Sequence, residues 1–490
     1  MSEPSLVQAV DHVALLPAYL AAGTAVLVLL VDLLVARPVA TVVTAAAGAV
    51  ATAVGAAVVG SGAERRTFCV GPDCSYVFGG RAALVAALVA LLVLGVLALS
   101  GPLLRAGNTP VGEYCFLLAC SMTGGVVLGA AGDLITLIVA VEVLTLPLYV
   151  LVGLRRGSLA SAEAAVTFFV VSVVATTLTL LGAALLYAVT GGLHLERLGT
   201  LLADEALLDL PLTTVAVTLV VAGLAFKVAA VPFHAWAPAT YDGAPLPVAA
   251  YLSTASKLGG VIALLAVVRH ALPSEVTGPV LAVVAALTMT VGNLVALRQR
   301  RTVRLLAWSS VAQAGYILAP LGALALTADA DTRTAAYAAA LAYAVFFVLL
   351  ELAAFAGVVA LRPAGADGGS LDDLRGAARR HPWVGAGLAF ALIGLAGLPP
   401  GLAGLFAKVT VVRSLLGGGA GWLALVVAVN AVIGLAYYLR AAALLYAPVG
   451  EVTAPAVRPA RAVAVALAVA TVVALAVGFA PQVVLDLAGR

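Results

Sequence analysis

Long apolar runs restrict this chain to a membrane fold more strongly than any other feature of its sequence. A helix of about 20 apolar residues crosses a bilayer, and the 490-residue sequence contains fourteen runs of about that length or longer. They cover approximately residues 15–35, 39–60, 81–104, 111–131, 133–153, 162–189, 211–233, 247–268, 278–297, 305–327, 335–361, 384–414, 419–446 and 461–480. Because the runs are continuous rather than alternating, we predict an all-α polytopic membrane protein with about 14 transmembrane helices.

The composition supports this fold class. Hydrophobic residues make up 63% of the chain and charged residues 10%, whereas soluble domains are about half apolar and a quarter charged. A sizeable soluble domain is therefore excluded, and without a basic stripe we expect no nucleic-acid partner. The first eleven residues carry acids and no basic segment, which predicts no cleavable signal peptide.

Arginines set the predicted orientation, because cytoplasmic connections of membrane proteins are enriched in positive charge. Alternate connections carry fourteen arginines on one side and seven on the other. The richer set is Arg37, Arg105, Arg155, Arg156, Arg298, Arg300, Arg301, Arg304, Arg362, Arg375, Arg379, Arg380, Arg458 and Arg461. The poorer set is Arg65, Arg66, Arg81, Arg197, Arg269, Arg333 and Arg490. We predict a bacterial inner (plasma) membrane protein with the richer set in the cytoplasm and both termini outside.

Lysine is confined to apolar segments. The chain has three lysines, Lys227, Lys257 and Lys408, and its other 23 basic residues are arginines. A charge at the bilayer centre costs about 2.5–3.5 kcal/mol, so each lysine is a candidate functional residue. An ammonium group can lose its proton when it is desolvated, whereas a guanidinium effectively cannot. The pattern predicts a protein that moves protons through buried lysines.

Glu142 is the acid most suited to pair with one of these lysines, Lys227. A Glu–Lys pair that separates and rejoins would switch the proton affinity of the lysine; the alternative is a static pair that only fixes helix packing. Ser253 and Thr254 share the helix face of Lys257 and could hold water beside it, or could bond back to their own helix.

Prolines interrupt two of the predicted helices near a lysine. Pro232 leaves the carbonyl of Val228 without an N–H partner, and Pro399 and Pro400 do the same for Leu395 and Ala396. Broken helices in corresponding positions of two halves indicate an inverted-repeat transporter. We therefore divide the chain into residues 1–110 with helices 1–3, 111–270 as the first five-helix repeat, 271–446 as the second, inverted repeat, and 447–490 with the last helix.

The sequence allows two alternative roles for most of the other residues of interest. His234 could relay protons or could only hydrogen-bond at the helix break. Glu351 could belong to a proton path or lie at a lateral interface, and Tyr437-Tyr438 are read as interfacial anchors. The loop 362–382 is either a solvated connector or a docking patch. Cys69 and Cys74 are predicted to form a structural disulfide on the outer side, or remain two surface thiols; Cys115 and Cys120 are predicted to be buried apolar residues.

The chain resembles the antiporter-like membrane subunits of respiratory complex I, which is the proton-pumping NADH–quinone oxidoreductase. Among these subunits it resembles the subunit N family most. The resemblance covers roughly the fourth to the thirteenth helix. Its motifs are Leu146-Pro-Leu-Tyr149, Phe226-Lys227 through Pro238, Tyr241-Asp-Gly-Ala-Pro-Leu-Pro-Val248 through Lys257, Gly292-Asn293 through Gln299, Arg304-Leu-Leu-Ala-Trp-Ser-Ser310, Ala314-Gly-Tyr316, Gly397-Leu-Pro399 through Lys408, and Tyr437-Tyr438-Leu-Arg440.

The resemblance implies a fourteen-helix membrane-arm subunit without a cofactor of its own. Quinone, NADH, FMN and iron–sulfur clusters are then expected in partner subunits, and the partners are the other membrane-arm subunits and the lipid bilayer. Glu142, Lys227, Lys257 and Lys408 match the family's membrane glutamate, its partner lysine, the central lysine and the second-half lysine. Thr167 and Gln313 depart from the family's lysine and histidine, which would thin the chain of titratable groups.

We therefore expect a proton-translocating subunit coupled to quinone reduction elsewhere, with Glu142, Lys227, Lys257, Lys408 and His234 in the path. One alternative is a subunit of a multi-subunit cation/proton antiporter. Another is a structural subunit that seals the membrane arm and pumps little itself.

Overall fold

Helices cover nearly all of the chain in a computed structural model, which describes residues 10–155, 157–327, 329–448 and 459–489. The first three helices are α1 (Leu16–Val35), α2 (Pro38–Gly60) and α3 (Gly80–Arg105), with strands β1 (Arg65–Val70) and β2 (Asp73–Phe78) before α3. The next group is α4 (Val111–Leu128), α5 (Leu134–Val152), α6 (Leu159–Thr190), α7 (Leu195–Leu201), α8 (Glu205–Leu208), α9 (Pro211–Lys227), α10 (Trp236–Gly243), α11 (Leu246–Tyr251) and α12 (Lys257–His270).

The remaining helices follow the same up-and-down course. They are α13 (Ser274–Leu297), α14 (Thr302–Leu318), α15 (Ala330–Leu361), α16 (Ala377–Arg380), α17 (Pro382–Ala396), α18 (Leu402–Gly417), α19 (Gly421–Tyr446), α20 (Arg461–Phe479) and α21 (Pro481–Gly489). A π-helical turn, Leu252–Ser256, joins α11 to α12, and 3₁₀ segments occupy Ala319–Leu326 and Leu371–Leu374.

The prediction of about 14 transmembrane helices is confirmed. In the described part of the chain, twelve helical segments are long and apolar enough to cross a membrane, and two shorter apolar helices, Pro211–Lys227 and Pro382–Ala396, begin the two interrupted segments. Met1 to Ala9, Arg156, Arg458 and Arg490 lie outside the described residues, so the arginine counts and the positions of both termini stay predictions. The chain is a multi-pass membrane protein.

The two halves repeat one another in opposite senses. α4 packs against α5 as α13 packs against α14, and α6 packs against α9 as α15 packs against α17 and α18. α4 begins at the end of the molecule opposite to the β-hairpin, whereas α13 begins at the hairpin end, because five helices separate their starts. Buried positions are concentrated in α12, α14 and α15, which lie between the halves.

The hydrophilic connection between α2 and α3 is a β-hairpin rather than an irregular loop. β1 and β2 pair antiparallel with Cys69 opposite Cys74, and the structure has a disulfide between these two residues. Gly71, at a φ of +63°, provides the left-handed residue of the turn. Cys115 is buried and Cys120 is half-buried in α4.

Ion pairs hold residues 362–376 of the loop 362–382, so this part of the loop is not a freely solvated connector. Arg301, just before α14, bonds Asp242 at the end of α10 at 2.8 Å and Asp367 in the loop at 2.9 Å. Arg362 bonds Asp367 at 3.3 Å and Asp373 at 2.9 Å. Arg301 therefore links the interrupted helix of the first half to this loop of the second half.

Candidate functional site

Lys227 and Glu142 form an ion pair inside the first half. The Nζ of Lys227, the last residue of α9, lies 2.7 Å from Oε1 of Glu142 in α5, and the lysine side chain is only 6% exposed. Nζ also donates to Ser172 Oγ at 3.0 Å and to Thr145 Oγ1 at 3.3 Å. Three acceptors thus match the three N–H donors of an ammonium group. The sequence predicted the charged partner but neither hydroxyl.

Glu142 is held by a second contact besides the lysine. Thr176 of α6 donates to the same Oε1 atom at 2.6 Å, and Tyr149 donates to Ser172 at 2.5 Å. The Glu142 side chain is 20% exposed, more than that of Lys227. The pair therefore lies in a polar cluster contributed by α5, α6 and α9.

Side chains bond two of the backbone groups at the helix interruption that follows Lys227. The peptide bond before Pro232 is cis, and Ala229 has a φ of +58°. The N–H of Val231 donates to Thr288 Oγ1 at 2.9 Å, and the indole of Trp236 donates to the carbonyl of Phe226 at 3.1 Å. Such partners are what allows non-helical backbone at membrane depth.

His234 lies at this interruption, beside the backbone of Pro232. Its ring packs against Trp308 of α14 with centroids 5.2 Å apart. The residue thus joins the interrupted helix to the second half. Its part in proton transfer stays a prediction.

Lys257 is bound by the second half of the molecule rather than by its own helix. Its Nζ donates to the carbonyl and to the hydroxyl of Ser310, at 2.7 and 2.6 Å. Ser253 and Thr254 both donate to the carbonyl of Ala250, so they bond back to their own helix. Of the two readings of these hydroxyls, the structure shows the one in which they bond to their own helix.

Lys408 is bound by the carbonyl groups that the two prolines release. Its Nζ donates to Ala396 O at 2.5 Å and to Leu395 O at 3.2 Å. These carbonyls end α17, where Pro399 and Pro400 have no N–H to offer them. The sequence predicted both open carbonyls, and the structure shows that the lysine occupies them.

Gln313 of α14 lies between the residues that bind Lys257 and Lys408, because Ser310, which binds Lys257, is three residues earlier in the same helix. Its amide nitrogen donates to Tyr438 OH at 3.0 Å and to Leu395 O at 3.2 Å, and Tyr343 donates to its oxygen at 2.5 Å. Leu395 O is also an acceptor for Lys408. The amide of Gln313 therefore connects Tyr343, Tyr438 and the carbonyl that Lys408 also uses, although an amide does not titrate.

Tyr437 and Tyr438 are not interfacial anchors, because both are fully buried. Tyr437 donates to Asn293 at 3.0 Å, and Asn293 donates to Tyr316 OH at 3.1 Å and to Asn430 Oδ1 at 3.1 Å. The Tyr316 ring lies 5.5 Å below the Nζ of Lys408. A polar network thus extends from Lys408 to α13 and α19.

The residues missed by sequence reasoning share one signal. Ser172, Thr176, Ser310, Asn293 and Asn430 are small or amide side chains within apolar runs, and such residues commonly form interhelical hydrogen bonds in membranes. Many other hydroxyls in the chain bond only to their own helix, so the signal does not single these out.

Two further expectations concern Thr167 and metal binding. Thr167 is half-buried on α6. Among the described residues, no group of three His, Cys, Asp or Glu side chains is placed to hold a metal ion.

Interrupted helices in two inverted halves, each next to a buried lysine, define an antiporter-like membrane subunit. A family model described as "NADH:quinone oxidoreductase/Mrp antiporter, TM" matches residues 131–434. The Mrp complex from Dietzia sp. contains a chain with a TM-score of 0.81 at 24% identity, covering 97% of this chain and 96% of that one. At that identity the likeness shows the fold alone.

Closer relatives specify the family. NADH-quinone oxidoreductase subunit N of Salinispora tropica is 77% identical over 99% of this chain and 100% of its own length. A chain of respiratory complex I from Thermus thermophilus is 30% identical with a TM-score of 0.79, covering 96% of this chain and 99% of that chain. The chain belongs to the subunit N family of NADH-quinone oxidoreductases.

Proposed function

We propose that this chain carries protons across the membrane through Glu142, Lys227, Lys257 and Lys408, with His234 at the first interruption. The observation that supports this most directly is that all three lysines are buried and each is held by exchangeable hydrogen-bond acceptors. An amine in such surroundings can gain or lose a proton with a small rearrangement of its partners.

The driving reaction belongs to partner subunits. The family's enzyme couples NADH oxidation to quinone reduction, and we assign those cofactors to other subunits of the same complex. Separation of Glu142 from Lys227 then changes the proton affinity of Lys257, which exchanges protons with Lys408.

The proposal includes the domain division and the orientation. The repeats are residues 111–270 and 271–446, between a three-helix segment at 1–110 and a last helix within 447–490. The end of the molecule that carries the β-hairpin faces outward.

The sharpest test replaces lysine with arginine. Lys227→Arg keeps a positive charge beside Glu142, but a guanidinium does not release its proton. We expect NADH-driven proton pumping in membrane vesicles to be lost in Lys227→Arg, in Lys257→Arg and in Glu142→Gln, while the complex still assembles. Normal pumping in all three variants would instead favour a structural subunit that seals the membrane arm and pumps little itself. Sodium-dependent proton movement without NADH or quinone would instead favour the cation/proton antiporter.

Two adjacent threonines give a matched control. Thr176 donates to Glu142, whereas Thr177 is exposed and donates to Val173 of its own helix. Thr176→Val should slow pumping because it frees the carboxylate from one of its two partners. Thr177→Val makes the same chemical change one residue away and should leave pumping unaltered.

A further inference from the structure

Glu351 in α15 is a completely buried carboxylate without a hydrogen-bond partner. Its side chain is 0% exposed, and neither Oε1 nor Oε2 has a partner within the described chain. Buried polar atoms are nearly always hydrogen-bonded, and each exception calls for an explanation such as a catalytic role or a bound water. An unpaired carboxylate serves no packing purpose that an apolar residue would not serve better. This acid therefore needs a function.

The face of α15 that carries Glu351 lies beside Lys257 of the first half and beside Gln313, a neighbour of Lys408 in the second half. Tyr343, Phe347 and Glu351 are four residues apart and so share one face of the helix. Tyr343 donates to Gln313, and the Phe347 ring lies 6.0 Å from the Nζ of Lys257. The carboxylate one turn beyond Phe347 interacts electrostatically with Lys257.

Glu351 is connected to Lys408 indirectly, through Tyr438 and Gln313. Tyr438 of α19 interacts with the carboxylate and accepts a hydrogen bond from Gln313. Gln313 and Lys408 in turn share the carbonyl of Leu395. Tyr241 of α10 also interacts electrostatically with the carboxylate, so Lys257, Tyr241 and Tyr438 are the described titratable groups coupled to it.

We propose that Glu351 is a further proton-carrying residue, which receives a proton from Lys257 and passes it toward Lys408. The inference rests on the proposed function, because it extends the same path. In the first step the Lys257 ammonium loses a proton to the carboxylate, giving a neutral amine and a carboxylic acid. In the second step the acid gives that proton to the neutral amine of Lys408, giving a carboxylate and an ammonium.

The charge balance favours this sequence in a buried site. Lys257 and Glu351 together have zero net charge before and after the first step, so no uncompensated charge is created where it would be most costly. Because no described residue bonds either oxygen of the carboxylate, both oxygens are free to accept the proton. Gln313 cannot take the proton itself because an amide does not titrate, so the carboxylate supplies the carrier between the lysines.

The experiment compares Glu351→Gln, Glu351→Asp and the control Glu163→Gln in membranes that contain the assembled enzyme. Glutamine keeps the shape of the side chain but cannot carry a proton, whereas aspartate keeps the acid. Glu163 is an exposed acid on α6. We expect Glu351→Gln to lose NADH-driven pumping to the same extent as Lys257→Arg, Glu351→Asp to recover most of it, and Glu163→Gln to match the unchanged protein.

The outcomes separate this inference from the proposed function. Normal pumping in Glu351→Gln together with loss in Lys257→Arg overturns the role of Glu351 alone, whereas normal pumping in both overturns the proton path itself. If Glu351→Gln does not assemble, the aspartate variant decides. A carboxylic-acid band in the infrared difference spectrum between resting and NADH-energised membranes must then shift with Glu351→Asp, and an unshifted band overturns the inference.

Discussion

Gly260 of α12 packs directly against the backbone of Lys227. A β-carbon on residue 260 would stand 2.9 Å from both the carbonyl carbon and the carbonyl oxygen of Lys227, and 3.1 Å from its Cβ. Lys257 lies three residues earlier in α12, less than one helical turn away. The absence of a side chain at Gly260 therefore sets how closely the helix of the central lysine approaches the Lys227–Glu142 pair.

We predict that Gly260→Ala lowers both stability and proton pumping. Backbone atoms of Lys227 cannot move aside as a flexible side chain would, and overpacking of this kind costs about 1–3 kcal/mol. The control is Gly23→Ala in α1, where no heavy atom of the described chain lies within 4 Å of the new β-carbon. Thermal inactivation of NADH-driven pumping measures the effect, and equal inactivation of the two variants would contradict it.

A second glycine prediction concerns the fold-back between α17 and α18. A β-carbon on Gly404 would fall on the carbonyl oxygen of Gly394, and Lys408 follows one turn later. Gly404→Ala should thus displace α18 and its lysine, with a loss of assembled complex on native gels. Gly417→Ala lies in the same helix and meets nothing within 4 Å in the described part, so it should assemble normally. Similar yields for both would refute the packing argument.

The ion pairs that hold the loop 362–376 should persist down to acid pH. Burial raises the pKa of Asp367. The hydrogen bond and charge of Arg301 and the charge of Arg362 lower it by more than that, so the pKa lies below its ordinary value of 3.8. A carboxyl whose pKa is depressed by folding stabilises the folded loop above its unfolded pKa of about 3.9. That stabilisation is lost as the pH falls through the lower, folded value.

A spin label on Ala364→Cys tests this prediction. The label should report one immobile loop between pH 5 and pH 8 and a mobile loop only below about pH 4. Asp367→Asn should make it mobile at neutral pH. Asp372→Asn is the control, because the Asp372 side chain is 82% exposed and its contact with Arg375 is 3.6 Å long. Mobility that changes near neutral pH would contradict the assignment to Asp367.

The disulfide of the β-hairpin should matter little for activity. Cys69 and Cys74 are five residues apart, and closing so short a loop stabilises the folded state by only about 2 kcal/mol in the chain-entropy description. The double variant Cys69→Ser/Cys74→Ser should therefore melt at a slightly lower temperature and pump protons at the normal rate. A large loss of pumping at a temperature where the variant remains folded would give the hairpin an unexpected role.

The sequence predicted the membrane fold well because its signals are local. Run length determines each span, and a proline determines where the carbonyls of Leu395 and Ala396 are left open. The pairing of Lys227 with Glu142 was predicted because two opposite charges in apolar surroundings have few other partners. These inferences need no knowledge of how distant helices pack.

The partners of Lys257 could not be predicted because they depend on packing between the halves. Ser310 is 53 residues away in sequence, and nothing local distinguishes it from hydroxyls that bond to their own helix. The burial of Tyr437 and Tyr438 was missed for a similar reason, since aromatic residues beside an arginine near the end of a span are typical of an interface. Whether these two tyrosines are buried depends on which face α19 turns toward α13 and α14.

The acceptors of Lys408 are peptide oxygens, so they are specified by where α17 stops rather than by the identity of any neighbouring side chain. Every residue type carries a backbone carbonyl oxygen, so the side chains of Leu395 and Ala396 do not themselves supply the acceptors. The acceptors of this site are therefore encoded in two prolines and a lysine, rather than in a polar side chain that a sequence motif would reveal.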